Sequence, residues 1–479
     1  MPDIRYVCLS DMHLGAATGL LTNLRTASSE IDPREPSPVL QELVKCLAHI
    51  ISLNERKNTK PTLVLNGDIL ELALCEDNQA AMTFERFIDL VMPEGGEMFD
   101  RIIYNPGNHD HHLWETARET QYVEFLTSSP KAKWGMEYDP PWHTTNIFKF
   151  EKPLASYFLS NLIRRRPNLS DRIVETAYPN FGLLSPDGQK AVIFSHGHLT
   201  EDMYLLMSTL KTMLFPDKKI PETIWDIEAE NFAWIDFFWS TLGRSGEVGK
   251  GVDCIYEKLQ DEKQLKRLLD NLAHGLAEKF DIIPWGDALE AEAFKLIFDV
   301  VRSAVKGLER NNADSVLGKE SQKGLWRYME VPLRQQIENE LQAPVPTKVT
   351  FVYGHTHKPF EEDMNFNGYR DWVDVYNSGG WVVDTVERQP LHGGAVILID
   401  ENLNAASLRM YNESNDPDGY KVWVSEAAHP GDSAGPLFAR IHPLVDPKAS
   451  PWKEFSASVA RAVNVRAQDL RARINKPSY

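Results

Sequence analysis

Five short apolar runs, at residues 5–9, 62–65, 101–104, 191–194 and 349–353, each break off at a polar segment built from Asp, Asn, Gly, Ser and His. The segments are Ser10-Asp11-Met12-His13-Leu14-Gly15, Asn66-Gly67-Asp68-Ile69-Leu70-Glu71, Gly107-Asn108-His109-Asp110, Ser195-His196-Gly197-His198 and Gly354-His355-Thr356-His357. Runs of this length read as strands, and the stretches at 39–53 and 80–91 carry apolar residues at helical spacing, so the N-terminal part reads as βαβ units of an α/β domain. In open α/β sheets the ligand site gathers at the carboxyl ends of the strands. A fold that aligns these five strands therefore brings five polar segments to one cleft.

Each segment alone has an ordinary reading. Asp11-Met12-His13 and Gly67-Asp68 are compatible with surface turns, and Gly107-Asn108-His109-Asp110 with a turn around a left-handed Asn. Gly354-His355-Thr356-His357 carries more information, because alternate residues on an extended segment share a face. Together the segments supply carboxylate, amide and imidazole donors and no thiolate, a set that suits divalent transition metals. The four cysteines, Cys8, Cys46, Cys75 and Cys254, form no CxxC pair and no dense disulfide framework, which fits a reducing, cytoplasmic setting. With 51 basic against 69 acidic residues the chain carries −18, a poor basis for nonspecific binding to nucleic acid or anionic membrane. No leader-like start and no apolar run of membrane-spanning length is read.

Asp-x-His, Gly-Asp, Gly-Asn-His-Asp, His-Gly-His and Gly-His-Thr-His, in this order, resemble the calcineurin-like metallophosphoesterase superfamily. The resemblance covers roughly residues 1–200 and 345–411. It implies an α/β fold, a four-layer β-sandwich flanked by helices. It also implies two divalent metal ions (Mn, Fe, Zn, Co or Ni) at the strand ends. Carried over, it makes Asp11 and His13 ligands of the first ion, Asp68 the bridging carboxylate, Asn108 and His196 ligands of the second, and assigns His355 to the second ion and His357 to the first. His109 would contact substrate and protonate the leaving group. Glu71 would orient that imidazole and favour its charged form, with Asp110 the competing candidate. His198 is left between supporting and substrate-contacting roles. The implied reaction is hydrolysis of a phosphomonoester or phosphodiester of a small metabolite or nucleotide by a metal-bridging hydroxide.

Two other readings compete. A pyrophosphate-cleaving hydrolase of a nucleotide-sugar lipid precursor typically has Arg where this chain has His109. A noncatalytic scaffold on the same fold usually loses ligands, and here every motif position holds one. The Gly-Asp-x-x-Asp-Arg-Gly signature of protein phosphatases is absent, since Ile69-Leu70-Glu71-Leu72 follows Asp68.

The catalytic domain is expected to be discontinuous, from 1–200 and 345–415, interrupted by a helical insert or cap at 201–344 and followed by an extension at 416–479. Helices are read at 261–280 and 288–308, and further strands at 372–376, 380–386, 395–400 and 406–411. Excision of the insert from about residue 202 to 344 is expected to leave metal binding largely intact. The aromatic run at 231–239 is read as packed insert core, with peripheral membrane contact the minority reading, and His111 and His112 as solvent-facing or near substrate, with a spare metal role the lesser alternative. The Arg-rich end at 458–474 is read as a solvated helix face. Residues 244–251 resemble a phosphate loop only faintly and lack its first Gly and its Ser or Thr. The oligomeric state is not legible.

Overall fold

The computed structural model describes residues 2–25, 30–128, 142–149, 154–241, 314–429 and 431–474. The helices expected at 261–280 and 288–308, and the segment 244–251, lie outside them. The strands are β1 (Ile4–Leu9), β2 (Thr62–Asn66), β3 (Arg101–Asn105), β4 (Leu154–Ala155), β5 (Val174–Thr176), β6 (Asn180–Leu184), β7 (Lys190–Ser195), β8 (Lys348–Tyr353), β9 (Phe360–Met364), β10 (Val373–Asn377), β11 (Gly393–Asp400), β12 (Ala405–Asn412) and β13 (Trp423–Ser425). They form an eight-stranded sheet, β13-β12-β11-β1-β2-β3-β5-β4, and a five-stranded sheet, β6-β7-β8-β10-β9. β1, β2, β3 and β5 run parallel to their neighbours in that series, as do β7, β8 and β10.

Side chains of a strand alternate between faces, and here the alternation sorts residues into three cores. From β1 and β2, Val7, Leu9, Leu63 and Leu65 join one hydrophobic cluster, whereas Cys8 and Val64 join another. From β7 and β8, Val192, Phe194 and Val352 enter the same cluster as Cys8, while Ile193, Phe351 and Tyr353 point into a third. The cluster with Cys8 and Val352 is thus the seam between two stacked sheets. The other two clusters lie under helices, giving the helix–sheet–sheet–helix layering of the expected sandwich.

Over the eight-stranded sheet lie α1 (Pro38–Ser52), α2 (Asp77–Val91) and α4 (Tyr157–Arg164), with α3 (His112–Ser128) following the third motif. α1 starts where the sequence dictates: Pro38 sits at the first turn, where its missing N–H costs nothing, and the Leu40 amide donates to Ser37 Oγ at 3.0 Å. Within the insert stand α5 (Leu206–Leu214), α6 (Ile224–Ile235), α7 (Lys319–Tyr328) and α8 (Arg334–Leu341), and the C-terminal part carries α9 (Pro436–Ile441) and α10 (Trp452–Ile474).

The described parts of both appendages pack into these cores. Leu325, Tyr328, Leu333 and Ile337 share one core with Ile193, Val349 and Phe351, so α7 and α8 form the outer layer of the five-stranded sheet. Likewise Trp452, Phe455, Val459 and Val463 of α10 enter the same core as α1. Arg466 does not sit on a solvated face: it is buried and donates to the Gly19 and Thr22 carbonyls. The strand expected at 380–386 is replaced by loop with isolated bridges at Gly379 and Val382. Its backbone is used elsewhere: the Trp381 amide donates to the Asp11 carbonyl at 3.0 Å and the Leu20 amide to the Trp381 carbonyl at 2.7 Å. Among the described residues no helix is long and apolar enough to cross a membrane.

Candidate metal centre

Where β1, β2 and β8 end, the chain turns through left-handed backbone at residues other than glycine: φ is 48° at Asp11, 44° at His13, 50° at Asp68, 69° at His355 and 57° at His357. Each such residue costs about 1–3 kcal/mol and persists only where surrounding structure over-determines it. Here backbone hydrogen bonds tie the turns together: the Asp11 amide to the Gly67 carbonyl, and the His13 amide to the Asp68 carbonyl, both at 2.9 Å. Gly67 allows the closest approach. Its φ is +88°, and a Cβ there would meet the His196 ring at 2.2 Å.

The turns gather the expected ligands into two buried sets, Asp11 with His13 and His357, and Asp68 with His196 and His355. His357 Nε2 lies 3.5 Å from Asp11 Oδ1 and 3.2 Å from His13 Nε2. His196 Nε2 lies 3.0 Å from Asn108 Oδ1 and 3.3 Å from Asp68 Oδ2, while His13 Nε2 stands 3.8 Å from that same oxygen. Asp68 thus stands between the two sets.

Every one of the four histidines spends its other ring nitrogen on an outer acceptor. His13 Nδ1 pairs with Glu71 Oε2 at 2.9 Å, and His357 Nδ1 with Asp384 Oδ2 at 2.6 Å. His196 Nδ1 faces the Asn66 carbonyl at 3.3 Å, and His355 Nε2 pairs with Glu201 Oε2 at 3.1 Å. Such partners set the tautomer and ring angle of metal-binding histidines. They leave Nε2 of His13, His196 and His357, and Nδ1 of His355, as lone-pair donors. Two neutral imidazoles with Nδ1 so engaged would present lone pairs to each other across the 3.2 Å between His13 and His357; a cation between them removes that conflict. The donor set therefore fits divalent metals.

Charge balance points the same way. Burial works against ionising His196 and His357, yet Asp68 and Asp11 raise the first to about 9, and Asp384 and Asp11 raise the second to about 10. The neighbouring imidazoles in turn outweigh burial at Asp68 and hold its carboxyl well below the usual range. Protons thus stand in for cations, and cations must displace them. Zinc titrated into metal-free protein at pH 7.5 is expected to release roughly two protons from His196 and His357, read by calorimetry in buffers of different ionisation enthalpy. Affinity should rise with pH and the release should vanish above about pH 10, where both rings are already neutral. A binding heat independent of buffer would contradict this.

His109 and Glu71 adjoin the sets. His109 Nδ1 pairs with Glu71 Oε1 at 2.9 Å, and the His109 amide donates to Asp68 Oδ1 at 2.7 Å. One carboxylate therefore serves both His13 and His109. Burial pushes Glu71 up, but the His109 and His13 imidazoles outweigh it and bring it to about 2. Asp110, the competing candidate for orienting His109, has its oxygens on backbone instead: it accepts the amides of Gly107 at 2.7 Å, Ile69 at 2.8 Å, and Asp68 and Leu70 at 3.2 Å. It binds the second and third motif loops together. His198 is buried, its pKa driven well down by burial and by the His196 and His355 rings, and its Nε2 meets Tyr178 Oη at 3.1 Å. His111 is not solvent-facing; the insert buries it completely.

Sequence reasoning missed Glu201 and Asp384. Glu201 follows His198 by three residues, a visible signal. Asp384 sits in the stretch read as a strand, where nothing marked it. The insert was expected as a cap, but which of its residues border the site was not legible. Ser240 Oγ donates to the Asn108 carbonyl at 2.6 Å, the Trp239 ring stands 6.1 Å from that of His109, and the Tyr204 ring 5.2 Å from that of His355. The aromatic run is therefore divided: Trp239 is buried against the site, and Phe237 is 54% exposed.

A carboxylate behind a metal-binding histidine is worth about 10–100-fold in metal affinity. Glu201→Gln and Asp384→Asn are each expected to raise the zinc dissociation constant by about that factor. Competition with a chromogenic chelator measures it, and unchanged affinity in both would deny them the role.

No curated protein matches the chain. The family model for calcineurin-like phosphoesterases matches residues 4–453, nearly its whole length. With strand-end ligand sets buried at the edge of a two-sheet sandwich, this chain belongs to the calcineurin-like phosphoesterase family.

Proposed function

We propose that the chain hydrolyses the phosphomonoester or phosphodiester bond of a small phosphorylated metabolite or nucleotide, at a centre of two divalent transition-metal ions. The observation that carries this reading is the set of four histidines, each pinned from outside, around Asp11 and Asp68 with His109 alongside. Asp11, His13 and His357 would hold one ion, and Asn108, His196 and His355 the other, with Asp68 shared. When bound, such ions acidify a water and offset charge on the phosphoryl oxygens.

The remaining steps belong to the chain. Glu71 holds the His109 ring from Nδ1 and stabilises its cationic form, so Nε2–H is the proton to give to the departing oxygen. The amide bond from His109 to Asp68 keeps that imidazole in register with the ligands. Trp239 and Tyr204 limit access and exclude water, which supports reading the insert as a determinant of substrate choice. The buried thiols Cys8 and Cys46 support a reducing, cytoplasmic location.

The test is manganese-loaded protein assayed on p-nitrophenyl phosphate and bis(p-nitrophenyl) phosphate, with metal content measured in parallel. Bound metal with turnover of either ester supports the reading. Neither metal nor turnover would end it, in favour of the noncatalytic alternative.

A further inference from the structure

A second buried cluster of ligating side chains lies where the insert meets α3. His111, Glu115 and Glu228 bring ligating atoms within 4.8 Å of one another, all buried. They come from separate places: His111 ends the third motif loop, Glu115 lies in the first turn of α3, and Glu228 is on α6. His111 Nε2 is 2.8 Å from Glu228 Oε1, whose other oxygen accepts the Tyr178 hydroxyl at 2.9 Å. His111 Nδ1 stands 4.0 Å from Asp236 Oδ1, beyond hydrogen-bond reach. Glu115 gives one oxygen to Arg118 at 2.8 Å.

Two atoms are left over. His111 Nδ1 and Glu115 Oε1 are buried without a hydrogen-bond partner, a situation that costs about 1–3 kcal/mol per atom unless something satisfies it. His111 and Glu228 are fully buried and Glu115 is 8% exposed. The charges do not balance either. Among the described residues Glu115 pairs with Arg118, and Asp236 with His112 Nδ1 at 3.1 Å on the partly exposed side, while Glu228 has His111 and the Tyr178 hydroxyl. Burial works against charging His111, yet Glu228 and Asp236 push it up to about 10. A divalent ion beside a neutral His111 would neutralise the cluster. The 4.0 Å between His111 Nδ1 and Asp236 Oδ1 is spanned by two metal–ligand bonds of about 2.0–2.2 Å.

We propose that His111 Nδ1, Glu115 and Asp236 bind a further divalent transition-metal ion, separate from the catalytic pair, with Glu228 holding the His111 ring through Nε2–H, and that this ion clamps the insert onto the loop carrying Asn108 and His109. Imidazole with carboxylates suits zinc or manganese. The site shares no residue with the catalytic centre, so it stands or falls apart from the phosphoesterase reading.

Metal-free full-length protein, dialysed against zinc chloride and then buffer, is counted by mass spectrometry for bound metal. About three zinc ions per wild-type chain are expected, about two for Glu228→Gln, His111→Ala and Glu115→Gln, and at least one retained by Asp68→Asn. In the Asp68→Asn background zinc should still raise the melting temperature, and adding Glu115→Gln should abolish that rise. A wild-type chain saturating at two ions that Asp68→Asn removes would overturn the proposal without reference to whether the cluster variants fold. A count lowered by Glu228→Gln but untouched by Asp68→Asn would support this site and sink the catalytic pair instead.

Discussion

Asp68→Asn is expected to strip the catalytic centre of both ions and to lower kcat/KM on aryl phosphates by about 10²- to 10⁴-fold. The two sets of ligands meet at this carboxylate: its Oδ2 lies 3.3 Å from His196 Nε2 and 3.8 Å from His13 Nε2. Asparagine preserves the shape and keeps an oxygen for the His109 amide, which Oδ1 accepts at 2.7 Å. It removes the charge. Breaking a buried charge group by deleting one partner costs about 3–5 kcal/mol, and each 1.36 kcal/mol is tenfold in rate or affinity, which sets the range above. Folding is expected to survive, because Asn is isosteric with Asp and leaves the neighbouring Ile69 and Leu70 in their hydrophobic core. Metal content and kcat/KM are measured on the same preparation. Wild-type values for both would refute the placing of Asp68 between two ions, while loss of activity with full metal content would move it from ligand to substrate contact.

The residues in question were legible because their chemistry is local to strand ends. β1, β2, β3, β7 and β8 read as apolar runs, and each next segment held the donors; two parallel series, β1-β2-β3 in one sheet and β7-β8 in the other, then bring Asp11, Asp68, Asn108, His196 and His355 together. What supports those donors was not legible. Asp384 reaches His357 from a loop whose backbone serves Asp11 and Leu20, an arrangement that only tertiary pairing creates. Strand β5 is short, and β9 carries charges on its open face, so neither shows a periodic pattern. How the insert packs was hidden for a different reason. Helical periodicity reports that a face is buried, not against what, and α7 and α8 bury theirs on the five-stranded sheet. Arg466 shows the converse limit: composition reads arginine as solvated, and two backbone carbonyls beyond the first motif hold it inside.

The second large effect distinguishes proton donation from binding at His109. His109→Ala is expected to lower kcat by about 10²–10⁴-fold on an alkyl phosphate, the usual range for losing a general acid. On p-nitrophenyl phosphate the loss should be far smaller, because p-nitrophenolate leaves as a stable anion and gains little from protonation. The asymmetry follows from position. Glu71 Oε1 engages Nδ1, so a proton can be transferred only through Nε2, and the backbone amide of the same residue anchors the loop to Asp68. Alanine keeps that anchor and deletes the ring, so metal content should stay at the wild-type value. Glu71→Gln should differ in kind: its carboxylate also holds His13 at 2.9 Å, and its loss should weaken metal binding as well as catalysis. A series of phosphate esters graded by leaving-group acidity makes the comparison. A steeper dependence of kcat on leaving-group acidity in His109→Ala than in wild type assigns the proton to His109. Equal losses across the series would mean that the imidazole holds the phosphoryl oxygens and that the leaving group draws its proton from elsewhere.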